Sequence, residues 1–69
     1  MVKLAIIGVG EWGKNLLRNF YQIPEVGIKY CCDANNRVIE GLKGIYPNIH
    51  FKTDFKEIFE DNTINAVVV

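Results

Sequence analysis

Three glycines near the start of the chain have the spacing of a phosphate-binding turn. Gly8, Gly10 and Gly13 form the pattern G-x-G-x-x-G directly after an apolar run. In such a turn, Gly8 permits the tight bend, Gly10 lets the backbone approach a pyrophosphate, and Gly13 lets the helix pack closely on the strand. The first amides of the following helix carry partial positive charge and face the phosphates. The pattern predicts that a dinucleotide binds at this turn.

An aspartate follows the turn at the distance that dinucleotide-binding sequences show. Asp33 comes about 20 residues after Gly13, where a carboxylate accepts hydrogen bonds from the adenosine ribose. A carboxylate there also repels a 2′-phosphate, so it favours NAD over NADP. Arg37 lies about one helical turn further along, within reach of a 2′-phosphate, and keeps NADP as the less favoured alternative. The competing interpretation is a glycine turn that only packs a helix on a sheet, with Asp33 as a helix cap.

Two residues inside the glycine turn are further cofactor candidates. Glu11 lies where its carboxylate would face the pyrophosphate, and because that contact is repulsive we expect the side chain to turn to water near Lys14. Trp12 is a candidate to line the nicotinamide side of the crevice, and packing against a neighbouring loop is the alternative. The predicted cofactor-binding set is Gly8, Gly10, Glu11, Trp12, Gly13, Asp33 and Arg37.

The remaining reactive side chains predict neither a metal site nor a catalytic centre. Cys31 and Cys32 are adjacent, and neighbouring thiols cannot ligate zinc tetrahedrally or form an unstrained disulfide. We expect two reduced thiols in a buried strand, which indicates a cytoplasmic setting. His50 is expected in a loop or at a strand edge. A dehydrogenase needs a proton donor or acceptor beside its substrate, and the sequence offers no candidate for that role.

Alternating strands and helices are needed to position these residues. Apolar runs predict strands at Val2–Ile7, Val26–Cys32, 49–52 and 64–69, and helical spacing predicts helices at 11–21, 38–45 and 55–60. Ile28 and Tyr30 are taken as alternating apolar positions of the second strand. The order βαβαβαβ predicts an α/β fold, the truncated N-terminal part of a Rossmann-type doubly wound parallel sheet with strand order 3-2-1-4. The first two helices should lie on one face of the sheet and the third on the other.

Capping signals mark the starts of two of these helices. Asn35 is a good N-cap for the second helix. Asp54 and Glu57 have the spacing of a capping box for the third. We therefore expect the third helix to begin directly after Asp54.

Composition places the chain among ordinary globular proteins. Of its 69 residues, 49% are apolar, and 8 basic residues balance 8 acidic ones, which argues against a disordered tail or a basic nucleic-acid-binding arm. No apolar run approaches the roughly 20 residues of a membrane helix, and no secretory leader is recognisable. A last strand ending in three valines would leave an exposed sheet edge. We therefore expect residues 1–69 to be one incomplete domain, the first part of a longer protein.

The sequence resembles the N-terminus of the Gfo/Idh/MocA family, the relatives of glucose–fructose oxidoreductase and inositol dehydrogenase. The resemblance is carried by KLAIIGVGEWGKNLLRNF, by TDFKEIF at 53–59 and by INAVVV at 64–69. Residues 12–20 are similar to the branch that oxidises the 3-hydroxyl of UDP-activated N-acetyl sugars. The family implies an NAD-dependent oxidoreductase with a Rossmann domain followed by a C-terminal domain that binds a sugar and mediates homo-oligomers.

The resemblance transfers only part of the family's machinery to this chain. Gly8, Gly10, Gly13 and Asp33 match cofactor contacts, with Trp12 as a further candidate. The family's lysine motif and its aspartate/histidine pair follow the last residue of this sequence, so no catalytic residue is assigned and the 69 residues alone are expected to be inactive. The alternative function is a nicotinamide-sensing or binding domain without catalysis. Neither nucleic acid nor membrane is an expected partner.

Overall fold

The computed structural model describes residues 2–8 and 10–69, except for the side chains of Glu11 and Trp12. Strands and helices alternate along this part of the chain. They are β1 (Val2–Ile7), α1 (Gly10–Tyr21), β2 (Val26–Cys32), α2 (Asn36–Lys43), β3 (His50–Lys52), α3 (Lys56–Phe59) and β4 (Ala66–Val68). The predicted βαβαβαβ order is therefore confirmed.

The strands form one parallel sheet in the order β3-β2-β1-β4. The chain steps outward from β1 to β2 and β3, then crosses back over the sheet to place β4 on the other side of β1. This reversal confirms the predicted strand order of a doubly wound sheet. In such sheets, ligands bind at the carboxyl ends of the strands near the point of reversal.

Apolar side chains cover both faces of the sheet, as the crossover connections require. One face packs Leu4 and Ile6 of β1 against Leu17 of α1 and Leu42 of α2. The opposite face carries a smaller cluster, in which Ile58 of α3 packs with the residues Ala5, Tyr30 and Cys32. The first two helices thus lie on one face and the third on the other, as predicted.

An extra residue in β2 changes which way its side chains point. Leu4 faces Ile28 and Ala5 faces Tyr30, so Lys29 has no counterpart in β1. Such a bulge reverses the alternation of side chains beyond it. The expectation that Ile28 and Tyr30 share one alternating pattern is therefore wrong, because Ile28 packs with the first cluster and Tyr30 with the second.

Polar contacts from the α3–β4 loop surround this bulge. Tyr30 Oη donates to Asp61 Oδ2 at 2.7 Å, and Lys29 Nζ lies 2.7 Å from the same oxygen. The Thr63 hydroxyl and amide donate to Asp61 Oδ1 at 2.6 and 2.8 Å. The hydrogen bond to Asp61, together with burial, raises the pKa of Tyr30 to about 12. The bulge thus brings two side chains of β2 to one carboxylate.

One predicted helix cap is confirmed and the other is wrong. Asn35 Oδ1 accepts from the Arg37 amide at 3.0 Å and caps α2. The predicted capping box does not form, because α3 begins at Lys56 and its N-cap position is Phe55. Asp54 Oδ1 instead accepts from the Lys56 amide at 2.9 Å. Glu57 reaches away from Asp54 to an ion pair with Lys52, at 3.0 Å.

The last two strands are shorter than predicted. β3 begins at His50, and β4 covers Ala66–Val68. Asn65 lies just before β4 and pairs with β1 through both its side chain and its backbone. Its Oδ1 accepts from the Lys3 amide at 2.8 Å, and its own amide donates to the Lys3 carbonyl at 2.8 Å. The side chain therefore continues the contact with β1 where the regular ladder ends.

Candidate functional site

The glycine turn between β1 and α1 has the backbone conformation that only glycine adopts without strain. Gly8 has φ +81° and Gly10 has φ +29°, in the region that disfavours residues with a Cβ atom. Among the described residues, and apart from the chain neighbours and the backbone of α1 itself, no atom lies within 4 Å of a Cβ atom added at either position. The requirement for glycine therefore comes from the backbone angle, and open space lies in front of the turn.

Hydrogen bonds fix this turn to the neighbouring strand. The Gly8 amide donates to the Cys32 carbonyl at 2.8 Å, which joins the carboxyl ends of β1 and β2. Gly13, the third glycine of the pattern, is buried in α1, and Leu17 one turn later is fully buried against the sheet. Helix α1 is therefore seated with its first turn at the carboxyl edge of the sheet.

Asp33 connects three segments at this edge. Its Oδ2 accepts from the Gly10 amide at 2.9 Å, at the first residue of α1. Its Oδ1 accepts from the Asn35 amide at 2.8 Å, and its own amide donates to the Lys52 carbonyl at 3.0 Å. Each carboxylate oxygen has two lone pairs, so one oxygen can accept more than one hydrogen bond.

A cleft of about 440 Å³ opens at the carboxyl ends of the first three strands. It lies on the side of the sheet that carries α3, because Ile7 and Cys32 in its wall belong to that face. Its lining consists of Ile7, Gly8, Cys32, Asp33, Ala34, Thr53, Asp54 and Phe55. The glycine turn and Asp33 thus share one cleft, at the position where open α/β sheets bind their ligands.

The cysteines beneath this cleft are structural. Both are free and buried, as predicted. Burial raises the pKa of Cys31 to about 12, with the neighbouring Cys32 adding to the effect. The pKa of Cys32 is also raised, first by burial and then by the carboxylates of Asp54 and Asp33. A protonated thiol is a poor nucleophile and a poor metal ligand, so neither cysteine supplies chemistry at neutral pH.

Of the other predicted site residues, Arg37 lies in a different groove, and the side chains of Glu11 and Trp12 are outside the described residues. Arg37 lines a separate groove of about 200 Å³ with Lys14, Val38, Gly41, Leu42 and Ile45. That groove lies between α1 and α2, so the structure does not bring Arg37 into the lining of the Asp33 cleft. The predicted roles of Glu11 and Trp12 depend on side chains outside the described residues. Within residues 2–8 and 10–69, no cluster of His, Cys, Asp and Glu could hold a metal ion.

Sequence reasoning missed the third wall of the cleft, which Thr53, Asp54 and Phe55 supply. These residues follow β3 directly, and β3 lies beside β2. The usable signal was the predicted strand order, because the carboxyl ends of parallel neighbours meet at one edge. In the sequence, the TDF segment indicates only a helix cap at Asp54 and part of a family resemblance.

Comparison with known proteins supports the resemblance that the sequence shows. The chain is similar in structure to a Gfo/Idh/MocA family oxidoreductase from Vibrio cholerae, with a TM-score of 0.79 and 25% sequence identity. The match covers 97% of this chain and 21% of that protein, so the chain spans about a fifth of its length. No family model and no curated protein matches the chain. None of the helices in the described part is long and apolar enough to cross a membrane.

Proposed function

We propose that this chain, a structural relative of a Gfo/Idh/MocA family oxidoreductase, is the dinucleotide-binding part of an NAD-dependent enzyme. Its substrate would be a hydroxyl group of a sugar or nucleotide sugar. The observation that carries the proposal is the Asp33 carboxylate, which lies at the end of β2, accepts from the Gly10 amide at 2.9 Å and lines the cleft. A carboxylate beside a glycine turn at the end of a strand supports the proposal, because a ribose and a pyrophosphate would bind to such groups.

The residues present fit a dinucleotide. The open space in front of Gly8 and Gly10 admits a pyrophosphate close to the backbone. The first turn of α1, a helix of 12 residues, directs its amides and the positive end of its dipole to that space. The Asp33 carboxylate would accept the ribose hydroxyls. A bound NAD would supply a hydride acceptor for oxidation of a substrate hydroxyl, and the proton of that hydroxyl would go to a base outside these residues.

The charges of the cleft support NAD as the cofactor. Asp33 and Asp54 both line it, and two carboxylates oppose the 2′-phosphate of NADP. Arg37, which lies about one helical turn after Asp33, lines the groove between α1 and α2 instead. The electrostatic preference for a ribose without a 2′-phosphate would therefore come from two carboxylates, Asp33 after β2 and Asp54 after β3.

The rest of the enzyme would follow the chain described here. We propose that residues 1–69 are an incomplete Rossmann domain and that a further domain supplies the substrate pocket, the catalytic acid/base and the contacts of a homo-oligomer. The free, buried thiols of Cys31 and Cys32 fit the reducing cytoplasm.

A direct test titrates the full-length protein with NAD and NADP by calorimetry, then adds sugars and nucleotide sugars while the absorbance of reduced nicotinamide is followed. We expect tighter binding of NAD than of NADP, and reduction with at least one sugar of these classes. Binding without reduction by any sugar would favour a nicotinamide-sensing domain. No binding of either dinucleotide would overturn the proposal.

A further inference from the structure

A second cavity, of about 230 Å³, lies at the end of the sheet opposite to the Asp33 cleft. It opens on the face that carries α3, because the His50 ring contacts that of Tyr30, with centroids 5.8 Å apart, and Tyr30 packs with Ile58. Its lining comes from the amino-terminal parts of the first three strands and the residues just before β3: Lys3, Gly27, Ile28, Lys29, Asn48 and His50. None of these six described residues is acidic, in contrast to the lining of the Asp33 cleft.

Lys29 brings an immobilised ammonium group to this cavity. Its Nζ lies 2.7 Å from Asp61 Oδ2 and donates to Thr63 Oγ1 at 3.0 Å. An ammonium has three N–H donors, so these two contacts with the α3–β4 loop occupy two of them. The third N–H therefore belongs to a group that is already held in place, and a ligand would not have to order it.

Three other side chains of the lining also carry N–H donors. Lys3 supplies a second ammonium, and its backbone is fixed to Asn65 by hydrogen bonds of 2.8 Å on both its amide and its carbonyl. Asn48 and His50 add an amide and an imidazole N–H. Because Asp61 offsets the charge of Lys29, Lys3 is the residue that makes the cavity positive.

We propose that this cavity binds a phosphate group, either as inorganic phosphate or as part of a small phosphate monoester. A phosphate monoester carries about two negative charges and three strong acceptor oxygens, so it can accept from donors on several strands at once. Lysine is a common partner of phosphate. The volume of about 230 Å³ would hold several water molecules at roughly 30 Å³ each, which leaves room for a small substituent on the phosphate. The site is separate from the glycine turn and does not depend on the proposed function.

Acetylation of individual lysines in the full-length protein tests this site, because a bound anion shields the amines that it contacts. The protein is treated briefly with acetic anhydride over a range of phosphate concentrations, at an ionic strength kept constant with chloride, and its peptides are analysed by mass spectrometry. We expect half-maximal protection of Lys3 below about 10 mM phosphate. Lys43 and Lys56 are exposed and do not line the cavity, so their reaction rates should not change. Lys14, which follows the glycine turn, reports phosphate that binds there instead.

Two substitutions in β3 test whether the cavity is the site of protection. His50→Ala removes a donor from the lining, whereas the matched control Lys52→Ala removes a cation that pairs with Glu57 outside the cavity. We expect His50→Ala to raise the phosphate concentration for half-protection of Lys3 by about 2- to 13-fold, the effect of losing one hydrogen bond. Lys52→Ala should change it by less than about 1.5-fold, because salt screens a distant charge. Thermal unfolding verifies that both variants fold, and Asn48→Ala replaces His50→Ala if the latter does not.

Four results would overturn the proposal. Phosphate might leave Lys3 reacting as Lys43 does, or it could protect Lys14 alone, which would assign the phosphate to the glycine turn. Equal half-protection in wild type and His50→Ala would show that the anion does not bind in this cavity. Stronger protection of Lys3 by citrate than by phosphate would identify a carboxylate site instead. Each of these results leaves the proposed dinucleotide function unaffected, since NAD binding is measured separately.

Discussion

Asp33 is the residue on which the cofactor assignment depends. Its carboxylate accepts from the amides of Gly10 and Asn35, so it supports the loop on both sides of the cleft even without a ligand. A ribose contact and a purely structural cap are therefore both consistent with its position. The two roles differ in what happens to cofactor preference when the carboxylate is removed.

We expect Asp33→Ala to lower NAD affinity by about 10- to 150-fold, because hydrogen bonds to a charged acceptor contribute about 1.5–3 kcal/mol. Affinity for NADP should fall much less, or rise, since the repulsion of its 2′-phosphate disappears. Loss of the bond to Gly10 weakens the turn for both cofactors and cancels in the comparison. The measurement is the ratio of the NAD and NADP dissociation constants in wild type and variant.

Asn35→Ala is the matched control for this change. It removes the cap of α2 in the same loop and should cost about 0.5–2 kcal/mol of stability, measured by urea unfolding. Its ratio of NAD to NADP affinity should remain that of wild type. An unchanged ratio in Asp33→Ala as well would show that Asp33 is only a structural cap and would remove the main reason for naming NAD.

Substitution of Gly10 should affect stability and NAD affinity to different extents. In Gly10→Ala the new Cβ has no atom of the described residues within 4 Å apart from its chain neighbours and its own helix backbone, so we expect the strain of a positive φ to cost about 1–2 kcal/mol of stability. The same Cβ would occupy the space that a pyrophosphate needs. We therefore expect calorimetry to show a loss of NAD affinity greater than about 10-fold.

Gly41→Ala provides the comparison for Gly10. Gly41 lies inside α2 and also has open space at its Cβ position. Because alanine is the better helix former, we expect a gain of about 0.5–1 kcal/mol in stability and unchanged NAD affinity. Equal NAD affinity in both alanine variants would mean that no phosphate approaches the glycine turn.

At the scale of the elements, the sequence predicts best where a single local pattern decides the structure. The continuous apolar run of β1 and the apolar spacing of α1 identify both elements almost to the residue. The glycine turn and Asp33 are predicted for the same reason, since each follows directly from the end of a strand. Asn35 caps α2 through its own neighbours in sequence.

Features that depend on distant partners could not be predicted in this way. The bulge at Lys29 brings side chains of β2 to Asp61. Tyr30 and Asp61 are 31 residues apart in the sequence. The predicted capping box does not form because α3 begins at Lys56, and Glu57 forms an ion pair with Lys52 of β3 instead. Phe55 became part of the cleft only because β3 lies beside β2. In each case the deciding contact exists only once the sheet is assembled.

The loop carrying Asp61 gives the α3–β4 connection a pH dependence. Hydrogen bonds from Lys29, Thr63 and Tyr30 hold the pKa of Asp61 well below its usual range. A carboxyl whose pKa is lowered by folding stabilises the protein above its unfolded pKa, near 4, and this contribution is lost as pH falls further. As the pH is lowered below about 4, we expect the urea concentration at the unfolding midpoint of the wild type to decrease. The decrease should be smaller for Asp61→Asn, because its amide does not titrate.

A surface carboxylate supplies the control for Asp61. Glu40 forms an exposed pair with Lys43 at 3.6 Å, a type of contact that contributes little. Glu40→Gln should therefore keep the wild-type pH profile. Identical profiles in wild type and Asp61→Asn would show that the Asp61 network does not stabilise the fold through its charge.

Across the whole molecule, the strands of the sheet differ in how much of their apolar side chains is exposed. The central residues of β1 and β2, such as Ala5, Ile6 and Cys31, are buried, whereas Val67 of β4 is 37% exposed and the following Val69 is 94% exposed. Among the described residues, β4 pairs only with β1. The reversal of strand order lies between these two strands, and the described cleft extends from there toward β3. The described cleft therefore lies on the β2–β3 side of this reversal.

This asymmetry predicts how the 69 residues behave alone. Under the proposed function, the cleft on the β2–β3 side would take the adenosine half of NAD, so we expect the isolated chain to bind NAD more weakly than micromolar. It should bind ADP-ribose equally weakly, because the nicotinamide adds no contact, whereas the full-length protein should bind NAD more tightly than ADP-ribose. Calorimetry on chain whose fold has been verified by circular dichroism measures both affinities. Micromolar or tighter binding of NAD by the isolated chain would mean that these residues alone complete the site, and that the crevice does not need a second half beyond β4.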